Sequence, residues 1–258
     1  MNDGLERLAD TVPSRPAGDL DDNQLLAKAK GASHWKLTVL DVGQIAPRML
    51  RMSMSADEIT SMKWLPAQDL TLLITRAGGR DIRRRYTIAG HERDRVYIDV
   101  YLHGEGIGTT WARTCRAGDS VSAIGPRGKF LLKPEADWHL MIGDETALPG
   151  IRAMLAATDR PAQVIVDVDD PQDWRSFGAD ARPATRWTWL PRHSPLNAAA
   201  VLAPPPGGVG HAYISGEARR VLAWREQLEL LTLEPSAISH KAYWGVGRAN
   251  ATHGEPVA

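Results

Sequence analysis

Residues 138–151 read WHLMIGDETALPGI. The apolar run Trp138-His139-Leu140-Met141-Ile142 is a buried-strand candidate, and Gly143 opens a turn into a helix. Pro149 is tolerated in a first helical turn, and Ile151, Met154 and Leu155 then fall at helical spacing. Two more apolar strands follow, at 163–168 and 212–217. The second leads into a helix with Ala218, Val221, Leu222, Leu228 and Leu231 on one face. Strands alternating with helices predict a parallel sheet with right-handed crossovers. Residues 178–210, rich in proline and alanine, read as a loop-heavy excursion between units. The turn Gly143-Asp144-Glu145-Thr146 is unusual: it carries two adjacent carboxylates where a phosphate-binding turn would be free of acids. Helix capping by Asp144 or Thr146 accounts for only part of that pattern.

Upstream the texture is different. Trp35, Leu37 and Val39 alternate with polar residues, as do Leu70, Leu72 and Ile74. Val96, Ile98, Val100 and Leu102 alternate with Tyr97, Asp99, Tyr101 and His103. Val121-Ser122-Ala123-Ile124 is expected to end at a turn, Gly125-Pro126-Arg127-Gly128. Short strands with turns and little helix predict a small antiparallel β-barrel. The chain therefore divides into a polar lead-in at 1–30, a barrel at 31–133 and an α/β domain with a C-terminal segment at 134–258.

The chain has 258 residues, with 31 basic and 31 acidic side chains, so its net charge is zero. That balance argues against a general nucleic-acid binder. No apolar run approaches the length of a membrane helix, and the first residues show no secretory pattern, so a cytoplasmic setting is expected. Cys115 is alone, which excludes an internal disulfide or a multi-thiolate cluster. No metal site is expected.

Four stretches can carry chemistry. Arg84-Arg85-Tyr86-Thr87 ends a basic run that starts at Arg80; a guanidinium, an aromatic ring and a hydroxyl there suit a phosphate and a planar ring. His103-Gly104-Glu105-Gly106-Ile107-Gly108-Thr109-Thr110-Trp111 is a glycine-rich helix start with two hydroxyls, suited to a phosphate. Gly125-Pro126-Arg127-Gly128 and the acidic turn at 143–146 complete the set. Each is weak alone. In order, and followed by Ser215-Gly216-Glu217, they resemble the siderophore-interacting protein family, FAD-containing ferric-siderophore reductases related to the ferredoxin–NADP reductase superfamily.

The resemblance runs from about Trp35 to Trp244. It implies an N-terminal antiparallel FAD-binding β-barrel followed by an α/β parallel-sheet nicotinamide-binding domain. It further implies that Arg84 contacts FAD phosphate, that Tyr86 stacks on the isoalloxazine and that Thr87 approaches its N5 edge. His103, Gly104, Gly108 and Trp111 would lie along the FAD, and Thr109 and Thr110 would hold its pyrophosphate. Gly143, Asp144, Glu145, Thr146, Gly216 and Glu217 would form the NAD(P)H pocket, with NADH and NADPH both open. The substrate would be a ferric siderophore, met by basic residues near the C-terminus, for which Lys241 and Arg248 are available. Two alternatives stay open: a flavin reductase with a protein electron donor or acceptor, and a non-catalytic flavin- and siderophore-binding module.

Overall fold

The computed structural model describes residues 24, 27, 28, 31–75, 81–174, 177, 184–203, 206–230 and 233–246. Most of the lead-in lies outside these residues, as do Arg80, Leu231 and Arg248. The first half is a closed antiparallel barrel of six strands: β1 (Ser33–Ala46), β2 (Met49–Ser55), β3 (Asp69–Thr75), β4 (Asp81–Glu92), β5 (Arg95–Tyr101) and β6 (Ser120–Arg127). They pair in the order β1-β2-β5-β4-β3-β6. The alternating apolar residues Leu37, Val39, Leu70, Leu72, Ile74, Val96, Ile98 and Val100 point inward and form one core. Helix α1 (Ile107–Thr114) links β5 to β6 and packs Ile107, Trp111 and Ala112 on that core.

One expectation is corrected here. The stretch Gly125-Pro126-Arg127 does not end β6; the strand runs on through Arg127. Its neighbours hold it on both sides, pairing Gly125 with Ser33 of β1 and Arg127 with Asp69 of β3. A register shift between Asp69 and Thr71 absorbs the irregularity as a bulge.

The second half is a five-stranded parallel sheet, ordered β11-β10-β7-β8-β9. Its strands are β7 (Trp138–Asp144), β8 (Ala162–Val168), β9 (Thr185–Pro191), β10 (Gly210–Glu217) and β11 (Ile238–Trp244). The helices are α2 (Leu148–Ala156), the short α3 (Pro171–Trp174) and α4 (Ala198–Val201), and α5 (Ala218–Leu230). Both faces are covered, so the strands read as continuous apolar runs. Met141, Val164, Val166 and Tyr213 meet Leu148, Ile151 and Met154 of α2. Leu140, Ile142, Ile165 and Ile214 meet Val221, Trp224 and Leu228 of α5 on the other face. The supposed excursion at 178–210 contains β9, and a further strand, β11, lies at the C-terminal side.

The two halves share a core. Met49, Ala67, Tyr101 and Phe130 from the barrel side join the α2 face of the sheet. An ionic network crosses the same junction. Asp169, just after β8, accepts from Arg48 in the β1–β2 turn, from the Tyr101 hydroxyl at 3.0 Å and from Arg192 Nε at 2.6 Å. Burial works against the Asp169 carboxylate, yet the hydrogen bonds from Arg192 and Arg48 hold its pKa down at about 2.

At the opposite end of the sheet, His139 and His211 pair in register on β7 and β10, both buried around Tyr213. Burial lowers both, and His211 falls to about 4. The unfolded chain takes up these protons near pH 6.5 while the folded chain refuses them. Stability is therefore expected to fall as pH drops below 6.5, by about 2 kcal/mol at pH 5 for a shift of the His211 size. Urea titrations at pH 7, 6 and 5 measure this slope, and His211→Asn should flatten it. An unchanged slope in that variant would exonerate His211.

Candidate functional site: two cavities with a common wall

The carboxyl ends of β7 and β10 lie side by side where the strand order of the sheet reverses, the place at which open α/β sheets bind ligands. The acidic turn follows β7. Asp144 is buried, and its carboxylate is fully engaged: one oxygen accepts from the Thr146 amide at 2.9 Å and from the Thr146 hydroxyl. The other accepts from the Glu217 amide and from the Trp244 indole Nε1, both at 2.9 Å. A single side chain thus ties the turn after β7 to the ends of β10 and β11. Gly216 makes this possible: its φ is +133°, and a Cβ there would lie 2.7 Å from the Asp144 carboxyl.

Glu145 takes a different course. It has no exposed surface and binds the Asp169 amide at 3.0 Å and a guanidinium nitrogen of Arg192. Burial raises its pKa, and the adjacent Arg192 opposes that shift. Neither acid caps α2, whose N-cap is Ala147, a residue without a side-chain acceptor for the first amides.

A cavity of about 590 Å³ lies between the barrel, the loop before α1 and the end of β11. Arg84, Tyr86 and Thr87 of β4 line it, with His103, Gly104, Gly108 and Thr109. The Tyr86 hydroxyl rests where a Cβ at Gly108 would be, so only glycine at 108 lets the tyrosine cross the helix start. Burial pushes the Tyr86 hydroxyl up to about 12, against the pull of the Arg84 charge, and keeps it neutral. Trp111 stands behind Tyr86, ring centroids 6.5 Å apart. The Thr109 hydroxyl donates to the His103 carbonyl at 2.8 Å and fixes the glycine-rich loop. The first amides of α1 have no intrahelical acceptor and no side-chain cap.

Cations gather around one carboxylate of this cavity. Asp69 is almost fully buried and is met by Arg85 (Nε at 2.8 Å), by Lys241 Nζ at 3.0 Å and by Arg127 Nε at 3.9 Å. One carboxylate thus faces three cations. Tyr243 and Trp244 continue the lining, and the His103 ring lies 5.2 Å from that of Trp244.

A second cavity, about 250 Å³, lies at the strand-order reversal. Gly143, Asp144, Ser215 and Glu217 line it, together with Arg192, Arg219 and Arg220. Trp244 and Val246 line both cavities, so the indole held by Asp144 forms a common wall.

The residues singled out in the sequence distribute as follows. Arg84, Tyr86, Thr87, His103, Gly104, Gly108, Thr109, Thr146 and Lys241 line the larger cavity, and Gly143, Asp144 and Glu217 the smaller. Thr110 is exposed and outside both, Trp111 is packed behind Tyr86, and Glu145 and Gly216 are buried beside the cavities. Asp69, Tyr101, Arg192, Arg219 and Trp244 were missed. Trp244 alone had a signal, as the residue at which the resemblance ends. No helix among the described residues is long and apolar enough to cross a membrane.

Comparisons with known proteins agree with this arrangement. Residues 136–247 match the family described as siderophore-interacting protein, and residues 74–130 match the siderophore-interacting FAD-binding domain. An uncharacterised protein of Mycobacterium tuberculosis is 32% identical over 201 residues, covering 71% of this chain and 64% of that protein. The ferric vibriobactin reductase ViuB of Vibrio cholerae is 33% identical over 162 residues, 58% of this chain and 59% of that protein. The chain thus spans less than two thirds of the length of these relatives. The crystal structure of a siderophore utilization protein from T. fusca superposes with a TM-score of 0.75 at 25% identity, over 87% of this chain and 97% of that one. With the two family models matched in order and their motifs gathered around two adjoining cavities, the chain belongs to the siderophore-interacting protein family, with the family's FAD-binding domain matched at residues 74–130.

Proposed function

We propose that the protein is a ferric-siderophore reductase that moves electrons from NAD(P)H through FAD to chelated Fe(III). The observation that carries this reading is the pair of adjoining cavities that share Trp244 and Val246 as a wall. A hydride passes only between rings in contact, so a nicotinamide in one cavity would meet a flavin in the other once the Trp244 indole swings aside.

The larger cavity fits FAD in volume and in chemistry. It has the size of a cofactor site, and it offers an aromatic platform, a helix start and cations. Tyr86 would face the flavin ring, with Thr87 at its edge, and Arg84 would meet a phosphate. The free amides of Gly108 and Thr109 would share the pyrophosphate; the Thr110 hydroxyl, facing solvent, is left without that role. Bound FAD supplies the conversion of a two-electron donor to one-electron steps, and the protein positions it.

The smaller cavity would take the nicotinamide nucleotide. Asp144 holds the wall in place and Gly143 and Ser215 give backbone for close approach. Lys241 and Arg85, which line the larger cavity and share the single charge of Asp69, would meet an anionic ferric chelate. Siderophores hold Fe(III) with hard oxygen ligands, and reduction to softer Fe(II) weakens those bonds and frees the metal. We also take 31–133 and 134–258 as the two functional domains.

Purified protein should bind FAD and turn yellow, and anaerobic mixing with a nicotinamide nucleotide and a ferric siderophore should produce Fe(II), trapped by ferrozine. Flavin reduction without Fe(II) would point to a protein acceptor instead; no flavin reduction by either nucleotide would leave a binding module. Arg84→Ala should weaken FAD retention roughly tenfold or more, as expected for the loss of a charge-assisted hydrogen bond, read by fluorescence of released flavin. Asp144→Asn turns an acceptor into a donor facing other donors and should cost about 2 kcal/mol of stability in urea. A variant as stable as the parent would show that the tie between β7, β10 and β11 does not matter.

A further inference from the structure

The two nicotinamide nucleotides differ by one group, a hydroxyl or a phosphate on the adenosine ribose. A hydroxyl is read by a carboxylate with a free acceptor, a phosphate by guanidinium groups. The smaller cavity contains both residue types, so the question is which of them are free.

Two of its three carboxylates are engaged on both oxygens. Asp144 is taken by Thr146, Glu217 and Trp244. Asp167 stands at the end of β8, the strand after the first strand–helix unit, from which an acid reads a ribose in dinucleotide folds. Arg220 covers it with a two-pronged ion pair, Nε at 2.9 Å and Nη2 at 2.7 Å. Glu217 accepts from the Arg220 amide at 3.0 Å through one oxygen, in the first turn of α5, and keeps the other.

Two of its three arginines keep donors for a ligand. Arg219 is exposed at the rim and makes no ion pair among the described residues. Arg192 is held rigidly, Nε on Asp169 and Nη2 on Glu145, while its Nη1 has no hydrogen bond among the described residues. His193, exposed beside it, lines the same cavity. The pocket thus combines two fully engaged aspartates and one half-engaged glutamate with an anchored guanidinium, a free one and an imidazole.

Resting on the reading of this cavity as the nicotinamide-nucleotide site, we infer that Arg219 and Arg192, with His193, receive a ribose 2′-phosphate and select NADPH over NADH. Glu145 is then a positioning residue: it aims Arg192 rather than touching the nucleotide.

The test is calorimetric titration of the FAD-loaded full chain with 2′,5′-ADP and with 5′-ADP at low ionic strength, beside kcat/KM for NADPH and NADH. The 2′-phosphorylated ligand should bind roughly tenfold or more tightly, the size of one or more charge-assisted contacts. Arg219→Ala should remove most of that preference and spare 5′-ADP, and Arg219→Lys should keep part of it. Equal affinities would overturn the inference while leaving the nucleotide site standing. An Arg219→Ala loss shared equally by both ligands would also overturn it, placing Arg219 at the pyrophosphate that both nucleotides contain. Binding of neither ligand would remove the nucleotide site and this inference together.

Discussion

The arrangement depends on where one carboxylate spends its hydrogen bonds. Asp144 sits where three parallel strands end, and each of its partners belongs to a different segment: the turn after β7, the end of β10 and the end of β11. A buried carboxylate is tolerable only when its oxygens are satisfied, and here the satisfaction is the assembly itself. Without it, Gly216 would have no reason for its left-handed backbone and the Trp244 indole would have no anchor. The wall between the two cavities is in this sense an outcome of desolvation cost.

The second acid of the turn works by a longer lever. Glu145 reaches Arg192, and Arg192 reaches Asp169, which also takes Arg48 and Tyr101 from the barrel. Charges on four separate segments are therefore neutralised as a group. Mutual attraction in a partly buried junction is strong enough to fix side chains that would otherwise sample many rotamers. Two adjacent acids in one tetrapeptide thus serve two different junctions, one within the sheet and one between the halves.

Much of this was legible in the sequence, and the limits have physical causes. The alternation from Val96 to His103 and the strand–turn–helix at 138–151 announce a barrel and an α/β layer because side-chain period reports burial directly. Thr109 and Gly108 could be placed because a helix start has a local signature. Strand β9 was missed because its surroundings are rich in proline and alanine and because edge strands are only half buried. Lys241 could be nominated but not its partner, since Asp69 lies 172 positions away. Arg192 could not be nominated at all: its orientation is set by Glu145 and Asp169, and no period or spacing encodes such a meeting. The capping explanation for the acidic turn was attractive for the same reason, being the only local partner a sequence can show.

The core shared by Met49, Ala67, Tyr101 and Phe130 with the α2 face bears on how the molecule could be taken apart. A barrel cut free near residue 134 would carry an oily scar where α2 had been, and the sheet would carry its mirror image. The two halves are separate in topology and joined in solvation. Chimeras that exchange one half for that of a relative must therefore bring the matching face with it, whatever motifs they preserve.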